Sequence, residues 1–129
     1  MIIIVAGPSG CGKSTVIRGK STHIIHVDHD TTARNILAKK VAEAEKQGIV
    51  LVDCPFAVSV LSDEIIAAGG SKPVLWYIVE SEVTVAARIR ERKGYVPKRS
   101  TVAHMNKRAI EQSDFYGTAD RVLEKVKSL

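Results

Sequence analysis

Gly7-Pro8-Ser9-Gly10-Cys11-Gly12-Lys13-Ser14-Thr15 satisfies the pattern G-x-x-x-x-G-K-[ST]. Glycines permit the positive φ values that turn successive N–H groups inward, so backbone amides gather around a polyphosphate with few side chains. Lys13 can reach the outer phosphates and the Ser14 hydroxyl can ligate Mg2+, so the stretch from Ser9 to Thr15 (Ser9, Gly10, Cys11, Gly12, Lys13, Ser14, Thr15) predicts a binding site for ATP. Asp53 ends a hydrophobic run, where a carboxylate oriented by a sheet either supports that metal ion, usually through water, or caps the next helix. Asp28 and Asp30 follow another short apolar run and, two residues apart, point to one side if the strand continues. A carboxylate there suits a general base acting on an acceptor hydroxyl, and Asp30 can alternatively N-cap the helix after it. His26 and His29 stand beside these acids and would suit a transition-metal ion, but no further ligand lies at a suitable sequence spacing.

The elements needed to hold these residues are legible as alternating strands and helices. Ile2 to Ala6 is a continuous apolar run, as expected of a strand buried on both faces of a parallel sheet. A short helix from Lys13 to about Lys20 precedes a second strand over His23 to Val27. Apolar residues at Ala33, Leu37, Val41 and Ala44 predict a helix from Asp30 to Gln47, with Gly48 just past its end. Ile49 to Val52 reads as a third strand, Val58, Leu61 and Ile65 as a helical stripe, and Val74 to Val79 as a fourth strand. A helix from Glu82 to Arg92 follows, then a loop from Lys93 to Pro97, then a helix capped by Ser100 or Thr101 and running to Ser113. The tail from Ala119 fits either a strand or a last helix. The pattern predicts one α/β domain over residues 1–129 with a mainly parallel sheet and ligands at the carboxyl ends of its strands.

With 129 residues, 45% hydrophobic and 26% charged, the chain has the composition of an ordinary globular protein. Its apolar runs are far shorter than the roughly 20 residues of a membrane span, and Cys11 and Cys54 fit neither a disulfide framework nor a metal motif. Both features lead to an expected cytoplasmic location without a membrane partner. The net charge of +5 favours polyanionic ligands, and eight basic residues between Arg88 and Arg108 face a single acid, Glu91. Arg88 and Arg92 share one helical face, while Arg90 points nearly opposite and is free to pair with Glu91.

Asn106-Lys107-Arg108-Ala109 lacks the Asp of the guanine-reading N-K-x-D, which disfavours GTP-binding switches. The whole chain resembles the small P-loop kinases: the nucleoside monophosphate, dephospho-CoA, shikimate and polynucleotide kinase group. Val27-Asp28-His29-Asp30-Thr31-Thr32-Ala33-Arg34 is similar to the D-x-D-x-x-A-R of dephospho-CoA kinases. The resemblance implies a three-layer fold with four to five strands in the order 2-3-1-4-5. It also implies that Asp28 or Asp30 meets the acceptor hydroxyl, with Asp28 preferred as base, and that Arg34 binds an acceptor phosphate. Arg88 and Arg92 would start a mobile lid around residues 93–100, with Lys98 or Arg99 arriving from the loop to stabilise the transferring group beside Lys13.

Dephospho-CoA kinases insert a sizeable segment between the second and third strands, where this chain has little more than one helix. A short acceptor cap leaves the cleft open, which favours a nucleoside-like acceptor, either free or within DNA or RNA. The alternatives are a monophosphate or dephospho-CoA-like small-molecule kinase and, in a different class, a nucleotide-binding switch or ATPase without an acceptor.

Overall fold

The computed structural model describes residues 1–7, 11–54, 58–94 and 99–129, with 99–101 and 105 described by their backbone alone. Five parallel strands, β1 (Ile2–Ala6), β2 (Ile25–Val27), β3 (Val50–Cys54), β4 (Val74–Ile78) and β5 (Phe115–Gly117), form one sheet in the order β2-β3-β1-β4-β5. The helices are α1 (Lys13–Arg18), α2 (Arg34–Glu45), α3 (Val58–Ala67), α4 (Glu82–Lys93), α5 (Arg99–Gln112) and α6 (Ala119–Lys127). This is the three-layer α/β arrangement expected from the sequence.

The period of two along each strand sorts side chains into two cores. Ile2, Ile4, Ala6, Val50, Val52 and Cys54 face the layer that includes α2 and α3. Ile3, Val5, Leu51, Trp76 and Ile78 face the opposite layer, with Val16 and Ile17 of α1 and Val122 and Val126 of α6. Every residue of β1 is buried, so the central strand is held from both sides. The helix after Gly94 packs back on its predecessor through a separate small cluster of Val85, Ile89 and Val102.

Several boundaries differ from the sequence reading. Helix α2 starts at Arg34, four residues later than expected, and its N-cap is Ala33 without a side-chain cap, so Asp30 does not cap it. The cause is a turn: the Asp28 carboxylate accepts the Asp30 N–H at 2.9 Å and the Asp28 carbonyl accepts from the Thr31 hydroxyl at 3.5 Å, which takes these residues out of helical geometry. That helix also ends at Glu45, ahead of Gln47. Asp53 lies inside β3, which continues to Cys54, so its carboxylate projects from the sheet itself. Ser100 and Thr101 fall within α5 and do not precede it.

The tail from Ala119 is a helix, and the edge strand lies just before it, where the sequence pattern predicts no element. Phe115–Gly117 adds the edge strand, and the chain then turns into α6. Trp76 and Phe115 meet edge to face at 6.2 Å between ring centroids, and Asp114 accepts the Leu75 N–H at 2.8 Å. These two contacts seat a strand too short to announce itself by periodicity. No helix among the described residues is long and apolar enough to cross a membrane.

Candidate active site

Because all five strands are parallel, their carboxyl ends lie on one side of the sheet, and the candidate residues gather there. Gly7 follows β1 directly. A Cβ on Gly7 would lie 2.7 Å from both the Cys11 Sγ and the Ile78 carbonyl oxygen, so the loop closes only with glycine at that position. Gly12, the residue before α1, has φ +103°, a left-handed conformation that L side chains rarely adopt. A Cβ there would also meet the Ala119 Cβ at 2.8 Å, so α6 forms a wall against which the loop is seated.

The Lys13 ammonium donates to the Gly7 carbonyl at 2.7 Å, folding the lysine across the loop. Cys11 is fully buried in the core beneath the loop, and burial pushes its thiol up despite the positive charge of Lys13 and Arg88 nearby. Ser14 and Thr15 are exposed on the first turn of α1. Ser9 and Gly10 lie outside the described residues.

Arg88, on the half-buried side of α4, brings Nη1 to 3.9 Å from where a Gly12 side chain would begin. This places a guanidinium beside the loop between β1 and α1. Arg92, one turn further along α4, is exposed and has no ion pair among the described residues. Arg90 is exposed as well and does not pair with Glu91. Of the expected lid, Lys93 ends α4, Gly94 is its left-handed C-cap at φ 74°, and Arg99 starts α5; Lys98 lies outside the described residues.

On the far side of β1 is a second group of polar residues. His26 and Asp53 project from neighbouring strands toward the α1 side of the sheet, since Val27 and Cys54 face the other core. The His26 Nε2 and Asp53 Oδ1 are 2.9 Å apart, and the His29 Nδ1 approaches Asp53 Oδ2 at 2.9 Å. The other ring nitrogen of His29 contacts Asp30 Oδ1 at 3.0 Å. Burial alone would raise the Asp53 pKa, but the hydrogen bond with His26 and the charges of His29 and His26 outweigh it and hold the carboxyl below its usual range.

Asp28 is half-buried at the same strand end, and one ligand atom from each of His26, Asp28 and Asp53 lies within 4.8 Å of the others. Asp30 is 79% exposed. Arg34 is engaged by the Glu64 carboxylate in a two-pronged ion pair at 2.6 and 3.0 Å, which raises the Arg34 pKa and lowers that of Glu64. The partnership of the histidines with Asp53 was not foreseen, because the carboxylate arrives from a different strand 27 residues away. Two further supports carried no motif: Ala119 behind Gly12, and Asn106, whose amide donates to the Glu80 carbonyl at 2.9 Å and ties α5 to the segment after β4.

No protein-family model matches the chain, and no curated protein sequence does either. Solved structures do. The tunicamycin resistance protein of Deinococcus radiodurans superposes with a TM-score of 0.70 at 15% identity, over 97% of this chain and 92% of that one. A gluconokinase from Sinorhizobium meliloti gives 0.57 at 16% identity over 98% and 89% of the two chains. A shikimate kinase from Acinetobacter baumannii, solved with shikimate, gives 0.56 at 16% identity over 97% and 89%. With the observed strand order and the loop between β1 and α1, these likenesses show that the chain has the three-layer P-loop kinase fold.

Proposed function

We propose that the protein is an ATP-dependent phosphotransferase that moves the γ-phosphoryl group to a hydroxyl of a nucleoside-like acceptor, either free or within nucleic acid. The observation that carries this reading is the convergence of Lys13, the left-handed Gly12 and the Arg88 guanidinium at the mouth of β1. A polyphosphate entering the loop would replace the Gly7 carbonyl as partner of Lys13, and Arg88 would add charge where the transferring group becomes most anionic.

Mg2+, which neutralises phosphate oxygens when bound, fits the exposed Ser14 hydroxyl at the start of α1. Asp53 would support that ion through water, because each of its oxygens already faces an imidazole nitrogen. Asp28 is the favoured base: it is less exposed than Asp30 and its carboxylate is oriented by the Asp30 amide. Arg34 would reach an acceptor phosphate only by leaving Glu64, which favours an acceptor whose recognition needs no phosphate at that position. Kinase activity in two structural neighbours is consistent with hydroxyl acceptors of modest size.

The test is transfer from labelled ATP, screened across nucleosides, nucleotides, small hydroxy acids, DNA ends and modified DNA. Transfer to one class, lost in Asp28→Asn, supports the reading; ATP turnover indifferent to every acceptor points to an ATPase or switch. A polymeric acceptor additionally requires DNA affinity that falls steeply with salt, with a log–log slope of about −0.9 per phosphate contact.

A further inference from the structure

We infer that, in the nucleotide-free protein, His26, Asp28 and Asp53 form a binding site for a divalent transition-metal ion such as Zn2+, which would occupy Asp28 and so compete with its role as base. The three ligand atoms lie within 4.8 Å of one another and come from two adjacent strand ends. Two ligands of one tetrahedral ion stand about 3.4 Å apart. The His26 Nε2 and Asp53 Oδ1, at 2.9 Å, therefore need only a small adjustment for a metal ion to replace the shared proton. One imidazole and two carboxylates supply mixed nitrogen and oxygen donors that match the charge of a divalent ion. An imidazole donor favours Zn2+, Co2+ or Ni2+ over Mg2+, which keeps to oxygen ligands.

The surroundings suit such a centre. The His29 ring lies against the second oxygen of Asp53 at 2.9 Å, an electrostatic contact that restricts where the carboxylate can turn. His26 and Asp53 stand on β-strands of the sheet, so their separation is set by strand pairing and does not depend on a loop. Three protein ligands leave the fourth position open, the pattern of ions that bind water or a substrate oxygen. The site lies on the same edge of the sheet as the phosphate loop, where an acceptor hydroxyl would be presented.

The experiment uses the nucleotide-free protein, so that its outcome is independent of whether the phosphotransferase reading holds. Zn2+ is titrated by calorimetry in the presence of excess Mg2+, and Co2+ is followed by its visible absorption. The expected result is one Zn2+ per chain, with His26→Ala abolishing the binding and His29→Ala weakening it by about 10- to 100-fold. The Co2+ spectrum should lack a thiolate charge-transfer band, since Cys11 and Cys54 are buried in the two cores. Wild-type protein that binds Zn2+ no more tightly than His26→Ala overturns the proposal. Should a variant fail to fold, the imidazole NMR signals of wild type decide: one equivalent of Zn2+ must shift those of His26 while His23 and His104 stay unmoved, and the converse also overturns it.

Discussion

The two polar centres of the sheet edge are built in opposite ways. The proposed phosphate loop is contiguous: Gly7 to Lys13 run from β1 into α1, and in the proposed reading the backbone would supply most of what binds. The group around Asp53 is assembled: His26, Asp28 and His29 come from the end of β2 and Asp53 from β3, so that the sheet register brings them together. A contiguous site depends on backbone freedom and tolerates few changes in shape. An assembled site depends on side-chain partners and should degrade one contact at a time.

Removing the charge at the loop should have the largest effect. Lys13→Ala is expected to lower phosphoryl transfer by about a hundredfold or more, since one preorganised donor to a developing charge is commonly worth that much. Circular dichroism should be unchanged, because the Lys13 ammonium hydrogen-bonds a single carbonyl, that of Gly7, among the described residues. A variant that transfers normally would remove the distinction between the two centres.

Next comes shape. Gly12→Ala forces a side chain into a left-handed residue and toward the Ala119 Cβ 2.8 Å away, and thermal denaturation should show a loss of about 2 kcal/mol. Combining it with Ala119→Gly should recover only the steric part, which separates the contact from the backbone strain.

The smallest effect is expected at Asp53. Its folded-state pKa is lowered, so its stabilising contribution is complete above the unfolded aspartate value of about 3.9 and is lost as the pH falls through the folded value. Denaturation of wild type and Asp53→Asn in a chelator, from about pH 5 to about pH 2, should therefore show a stability difference that narrows on acidification. A difference that widens toward acid would mean that the imidazoles do not hold the carboxylate in its charged form.

How much of this was legible in the sequence follows from the same contrast. The loop, its strand and its short helix could be read because the motif and both flanks are local. The strand order was carried by resemblance and agrees with the structure. The late start of α2 was hidden because Asp28 spends its carboxylate on the Asp30 amide, a local competition that apolar spacing does not register. The edge strand at Phe115–Gly117 is three residues long and owes its place to Trp76 and Leu75, which lie about forty residues earlier. The third partner of the two histidines was beyond any sequence spacing, since strand pairing between Ile25–Val27 and Val50–Val52 creates the proximity.

Cys11 turns the phosphate loop into its own clock. The thiol is fully buried in the core beside Gly7, so a thiol reagent in solution can reach it only in molecules whose packing around Gly7 and α1 has momentarily opened. The rate of alkylation at that one atom thus counts opening events, and any ligand that fastens the loop should slow the count without touching the sulfur.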